Sequence, residues 1–182
     1  MWADLERILI SRTRIADRVQ ELADQIARTY EGCQEDGITL VPILSGSLIF
    51  TADLIRRLPM QMKIGLVAVS SYRGATTRSA GPRIEAELDV DVVGRHVLIV
   101  DDILDTGHTL RAVREHVSRC GPLSVRTCVL LRKPGKASSD LAADFVGFDI
   151  ADEFVVGYGL DYDDLYRNLP EIGVLRPQLY AR

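Results

Sequence analysis

The chain has 182 residues, a formal net charge of −4 and 47% hydrophobic residues. That length suits one domain with a substantial core, in an ordinary globular composition. The acidic balance lacks the basic excess that usually marks a nucleic-acid-binding domain, and no apolar run is long enough to cross a bilayer.

Near the N-terminus, Asp4, Glu6 and Arg7 replace the apolar segment that a secretory signal needs. The three cysteines, Cys33, Cys120 and Cys128, are odd in number and show no C-x-x-C spacing. They suit reduced thiols in a cytoplasmic protein. Ile15, Val19, Leu22 and Ile26 share one helical face, and that helix should close near Gly32. Thr39 to Leu44 reads as a short buried strand closed by Ser45-Gly46-Ser47. Ser47 to Leu58 then reads as a helix with Ser47 as N-cap. Lys63 to Tyr72 predicts a second strand. The stretch SYRGATTRSAGPR after it, rich in Gly, Ser, Thr and Arg, predicts a mobile loop. Glu85 to Val93 predicts one strand of a hairpin-like flap.

His96 to Val100 predicts a third strand, and Gly107 to Arg119 a helix with Leu110, Val113 and Val117 inward. Val125 to Leu131 predicts a fourth strand, and Phe145 to Ile150 and Phe154 to Gly157 two short apolar runs. Strands alternating with helices predict an α/β fold around a parallel sheet. Ligands of such sheets bind at the carboxyl ends of strands, beside a switch in strand order. Leu44 to Ser47 and Asp101 to Thr109 both fall at such ends.

The second of these stretches is the more demanding. In VLIVDDILDTGHTL (Val97 to Leu110), an apolar strand runs into adjacent carboxylates, Asp101 and Asp102. Alternation along a strand directs one to each face. Ionised carboxylates only accept hydrogen bonds, so they suit sugar hydroxyls or a hard cation such as Mg2+. Asp105-Thr106-Gly107-His108-Thr109 then opens a helix, whose amide-rich end favours phosphate. A sugar and a phosphate side by side make a ribose-phosphate site. A turn with Asp105 as a plain N-cap is the alternative for that residue. The opening VLIVDD also occurs in phospho-acceptor receiver domains, with Asp149 as a possible acceptor. The chain ends too early for the later strands and lysine that such a domain needs.

VLIVDDILDTGHTL resembles the phosphoribosyl pyrophosphate signature of the type I phosphoribosyltransferases. ILSGSLIF (Ile43 to Phe50), SSY (Ser70 to Tyr72), LLRKP (Leu130 to Pro134), DFVGFDIADEFVVGYGLDY (Asp144 to Tyr162) and YRNLP (Tyr166 to Pro170) resemble the hypoxanthine-guanine members in particular. The resemblance implies one domain over residues 1–182: a central, mostly parallel twisted sheet flanked by helices, a small hood from the N- and C-terminal segments, and a mobile active-site loop. It implies transfer of a 5-phosphoribosyl group from its pyrophosphate to N9 of a 6-oxopurine, with Mg2+, in a homodimer or homotetramer without nucleic-acid or membrane partners.

Residue by residue, the resemblance assigns Asp105, Thr106, Gly107, His108 and Thr109 to the 5′-phosphate. Asp101 and Asp102 go to the ribose hydroxyls and Mg2+, although the family usually has Glu first. Asp105 is the implied general base toward the purine N7 proton. Leu44, Ser45 and Gly46 match a pyrophosphate loop usually written Leu-Lys-Gly, often with a cis peptide; Ser45 removes its lysine charge. Arg167 is expected near pyrophosphate. Lys133 would donate to the purine 6-oxygen, Phe145 would stack on the base, and Val146 would contact it through backbone. Asp152 would hold a second Mg2+, and Ser71 and Tyr72 begin the closing loop. A phosphoribosyltransferase-fold regulator binding RNA is a rival reading, set against by Asp105, Lys133, Asp152 and the acidic charge. A xanthine-preferring enzyme is another. His96 and His116 receive no role.

Overall fold

The computed structural model describes residues 1–33, 37–70, 83–84, 88–138 and 141–180. Strand β1 (Leu5–Ile10) leads into helix α1 (Arg12–Thr29), whose first turn is capped by Ser11 accepting from the Arg14 amide. The buried face of α1 is Ile15, Val19, Leu22, Ala23 and Ile26, the face its sequence period predicts. Strand β2 (Ile38–Leu44) follows, then helix α2 (Leu48–Ile55). Ser47 does not cap α2 with its side chain. Its buried hydroxyl donates back to the Ile43 carbonyl at 2.6 Å, tying the helix to the strand it leaves.

The predicted strand over Lys63 to Tyr72 is two strands, β3 (Met62–Ile64) and β4 (Val67–Ser70). Both run parallel to β2, β3 along Ile38–Leu40 and β4 along Ile43–Leu44. Strand β5 (Arg83–Ile84) pairs antiparallel with β4. Leu88, Val90 and Val92 alternate as a strand would, yet form none; they pack on the core as an irregular segment. Strand β6 (His96–Leu104) continues four residues past the predicted end at Val100, so Asp101 and Asp102 lie within it. Helix α3 (His108–Arg119), β7 (Ser124–Arg132) and β8 (Phe145–Asp149) complete the main sheet.

The sheet order is β5-β4-β2-β6-β7-β8, with β3 also on β2, and every pairing but β4–β5 is parallel. From β2 the chain goes outward on one side to β4 and returns on the other to β6. The order therefore switches between β2 and β6. Along β6, Leu98 and Val100 pack toward α1 and α2, whereas Val97 and Ile99 pack toward α3. This two-residue alternation with both faces buried explains why the strand reads as one unbroken apolar run.

A second sheet joins the two ends of the chain: β1, β10 (Ile172–Leu175) and β9 (Val155–Val156), antiparallel in the order β1-β10-β9. Leu5, Val156, Leu169 and Leu175 form its core. The segment after β9 is anchored to α2, where Tyr158 donates its hydroxyl proton to Asp53 at 2.6 Å. Among the described residues, no helix is long and apolar enough to cross a membrane.

Candidate active site

The carboxyl ends of β2 and β6 border a cavity of about 250 Å3 at the switch point. Leu44 and Gly46 line it from one side. Asp101 and Asp102, then Asp105, Thr106, Gly107, His108 and Thr109, line it from the other. The two segments expected at strand carboxyl ends thus line one cavity.

Asp101 is buried and Asp102 partly so. Each carboxylate accepts from the amide of the next residue, Asp101 from Asp102 at 3.0 Å and Asp102 from Ile103 at 2.9 Å. Both line the cavity, which lies at the sheet's carboxyl edge. Burial holds both carboxyls above the ordinary aspartate range. Asp101 is raised further by the charge of Asp102, which Arg167 helps to keep ionised. A buried pair of this kind calls for a proton, a cation or hydroxyl donors. Its oxygen-only donors fit Mg2+, and no group of three His, Cys, Asp or Glu side chains able to hold a metal occurs among the described residues. The ion's remaining ligands would therefore come from substrate oxygens and water, as Mg2+ prefers.

Gly107 caps α3 in the left-handed region at φ 82°. A Cβ there would also approach the end of the Leu141 side chain to 2.3 Å and oblige it to shift, so it is the backbone conformation that favours glycine. The first intrahelical donor is the Arg111 amide, bonded to the Gly107 carbonyl at 2.9 Å. The amides of His108, Thr109 and Leu110 precede it at the cavity. Asp105 makes no cap, which leaves its carboxylate for other partners.

The Leu44–Ser45 peptide is cis. Gly46 lies directly against Asp102: a Cβ on it would sit 1.9 Å from the Asp102 Oδ2. Gly159 also lies close against Gly46: a Cβ on Gly159 would sit 2.1 Å from the Gly46 carbonyl oxygen. Arg167 donates to the Gly159 carbonyl at 2.8 Å and pairs with Asp161 at 2.9 Å. The C-terminal segment thereby clamps the loop onto the acidic pair.

A second polar cluster lies beside Asp105. The buried Lys133 ammonium donates to Asp105 Oδ2 at 3.2 Å and Asp152 Oδ1 at 3.1 Å. Lys136 donates to Asp152 Oδ1 at 2.6 Å. These lysines hold the Asp152 carboxyl below the usual range, Lys136 most strongly.

Phe145 and Val146 stand apart from this rim. Phe145 is buried in the core on the α1 side, and the Val146 carbonyl accepts from Arg18 of α1 at 2.7 Å. Core packing, not base stacking, accounts for Phe145. Ser71 and Tyr72 lie outside the described residues. Two residues unmarked by sequence reasoning join the site through its members, Lys136 through Asp105 and Asp161 through Arg167, and a third, Phe154, precedes β9. The Phe154 ring is partly exposed and stacks on Tyr180, with centroids 4.7 Å apart. A signal for two of them existed. Phe-Val followed by Asp at the seventh position after Phe occurs twice, at Phe145 to Asp152 and at Phe154 to Asp161.

A family model described as the phosphoribosyl transferase domain matches residues 9–163. The hypoxanthine-guanine phosphoribosyltransferase of Mycobacterium tuberculosis is 40% identical over 180 residues, covering 97% of this chain and 89% of that one. The enzyme of the same name from Bacillus subtilis is 41% identical over 180 residues, covering 99% and 98%. A crystal structure of a Staphylococcus aureus hypoxanthine phosphoribosyltransferase superposes with a TM-score of 0.91 at 40% identity, covering 100% of this chain and 97% of that one.

The raised carboxyls give a signed expectation. The folded, metal-free protein holds protons that the unfolded chain releases near pH 3.8, so stability falls as pH rises above that value through the folded pKa. Asp101→Asn removes the penalty. In chelating buffer, thermal melts should show the variant above the wild type at about pH 8, with the gap closing toward about pH 4. A variant melting below the wild type at the higher pH would contradict the assignment.

Proposed function

Because this chain belongs to the phosphoribosyltransferase family, in its hypoxanthine-guanine branch, we propose that it is a purine-salvage transferase. It moves the 5-phosphoribosyl group of phosphoribosyl pyrophosphate to N9 of hypoxanthine or guanine, giving IMP or GMP and pyrophosphate. One observation carries the reading: an amide-rich helix end and a buried carboxylate pair share a cavity, beside a loop clamped by an arginine-bearing segment.

In this reading the turn from Asp105 to Thr109 holds the 5′-phosphate through amides and hydroxyls. Asp101 and Asp102 take the ribose hydroxyls and Mg2+. When bound, that ion supplies positive charge to the leaving pyrophosphate. The backbone of Leu44, Ser45 and Gly46 faces pyrophosphate, with Arg167 behind it as a fixed planar cation. We assign the pyrophosphate side's second cation to Asp161 rather than Asp152. Asp152 is engaged by two lysines, Lys133 and Lys136, whereas Asp161, ion-paired among the described residues with Arg167 alone, stands two residues from Gly159, which lies against the loop.

The bond from C1′ to the pyrophosphate oxygen breaks as the N9–C1′ bond forms, with inversion. The purine's N7 proton passes to Asp105. The Asp105 Oδ1 atom is buried and accepts no hydrogen bond among the described residues, with the Lys136 ammonium facing it at 3.3 Å as a charge, and in this reading it takes that proton. Lys133 carries only donors, so it favours a 6-oxo over a 6-amino group. The base stacks on Phe154. A cytoplasmic setting and a homodimer or homotetramer belong to the same reading. The exposed Leu48 and Ile49 at the start of α2 are apolar surface that a second copy would cover.

Pyrophosphate release should appear with hypoxanthine and guanine, to an extent still to be ranked against xanthine, and not with adenine or uracil. Product with uracil, or none with any purine, overturns the reading. Asp105→Asn should lower kcat by about 10²–10⁴-fold while phosphoribosyl pyrophosphate affinity stays within a few-fold, as measured by turnover and calorimetry. Unchanged turnover removes the general-base role. Phe154→Leu should raise the KM for hypoxanthine without a comparable loss of stability. Phe145→Ala should act in the opposite sense, lowering the melting temperature by a core-cavity effect of about 3–5 kcal/mol.

A further inference from the structure

Lys136 has no part in the roles above, yet it completes a closed ring of alternating charge. Lys133 contacts Asp105 and Asp152 at 3.2 and 3.1 Å; Lys136 contacts the same two at 3.3 and 2.6 Å. The two carboxylates and two ammoniums sum to no net charge. The ring's geometry is local: Lys133 and Lys136 flank a turn at Pro134-Gly135, closed by the Lys136 amide on the Lys133 carbonyl at 3.4 Å. The two lysines differ in setting. Lys133 is buried, whereas the Lys136 side chain is 35% exposed. Their contacts differ as well. Lys133 donates to Asp105, while Lys136 faces Asp105 Oδ1 as a charge without a hydrogen bond.

This arrangement poses a problem for base recognition. An ammonium has three donors, and Lys133 directs two of them at carboxylates. Donating to a purine carbonyl weakens those pairs, and the partly buried Asp105 and the exposed Asp152 would lose the cation they share. A second cation that stays in place removes the difficulty. We propose that Lys136 is a positioning residue that holds Asp105 and Asp152 while Lys133 turns to the carbonyl of the base. Lys136 touches neither base nor sugar; it acts by keeping the two carboxylates neutralised and in place. The inference rests on the reading that Lys133 recognises a 6-oxo group.

The test is steady-state kinetics on the full-length enzyme with Lys136→Met, Lys136→Arg and Lys133→Met. Lys136→Met should raise the hypoxanthine KM about two- to fivefold, the size expected for a partly exposed ion pair. The KM for phosphoribosyl pyrophosphate and the melting temperature should stay unchanged, and Lys136→Arg should restore most of the loss. An unchanged hypoxanthine KM overturns the proposal. So does a parallel rise in both KM values or a lowered melting temperature, since either marks a general structural role. Lys133→Met separates the two levels. If it leaves the hypoxanthine KM unaltered, carbonyl recognition by Lys133 fails. If it raises that KM and Lys136→Met does not, only the role of Lys136 fails.

Discussion

Two carboxylates adjacent in sequence, set inside a buried strand, cannot both carry charge without a counter-charge. Asp101 and Asp102 create that condition where the sheet changes direction, and the rest of the site is arranged around it. The cost of burying the pair is useful only if a ligand relieves it. Sugar hydroxyls and an oxygen-loving cation are ligands that do so. The same pair dictates its nearest neighbour: only glycine at position 46 permits the loop to lie against Asp102.

The remaining parts supply what the acidic pair does not. Phosphate needs donors, and α3 presents its first amides at the same cavity through the left-handed Gly107. Pyrophosphate needs positive charge. Ser45 has none, and the C-terminal segment brings one in Arg167, which donates to the carbonyl of Gly159, the residue lying against Gly46. The small sheet built from the two ends of the chain, with the Tyr158–Asp53 hydrogen bond, fixes that segment in position. A structural element far from the chemistry in sequence thus sets the position of one of its charges.

Much of the main sheet was legible because its signals are local. The faces of α1 and α3 follow the helical period, and β2, β6 and β7 are apolar runs buried on both sides. The end of β6 was not legible, since charges inside a strand look like its terminus until a cavity is seen beside them. The small sheet was hidden because β1 carries exposed Glu6, Arg7 and Ile8 and shifts register twice, which erases the two-residue period. At the site, Phe145 and Phe154 begin the same Phe-Val pattern with Asp at the same spacing. Only burial tells them apart: one ring is core, the other is partly exposed. Lys136 had no signal at all, because ring closure with Asp105 and Asp152 depends on a turn and on a distant strand end.

The most direct measurement is calorimetric titration of phosphoribosyl pyrophosphate into the protein, with Mg2+ and with a chelator, in buffers of different ionisation enthalpy. If the buried carboxylate pair is what the substrate and its ion come to satisfy, binding tightens sharply with Mg2+ and protons are released as the pair becomes fully ionised. Equal affinity in the chelator, with no proton released, would contradict the role given to Asp101 and Asp102.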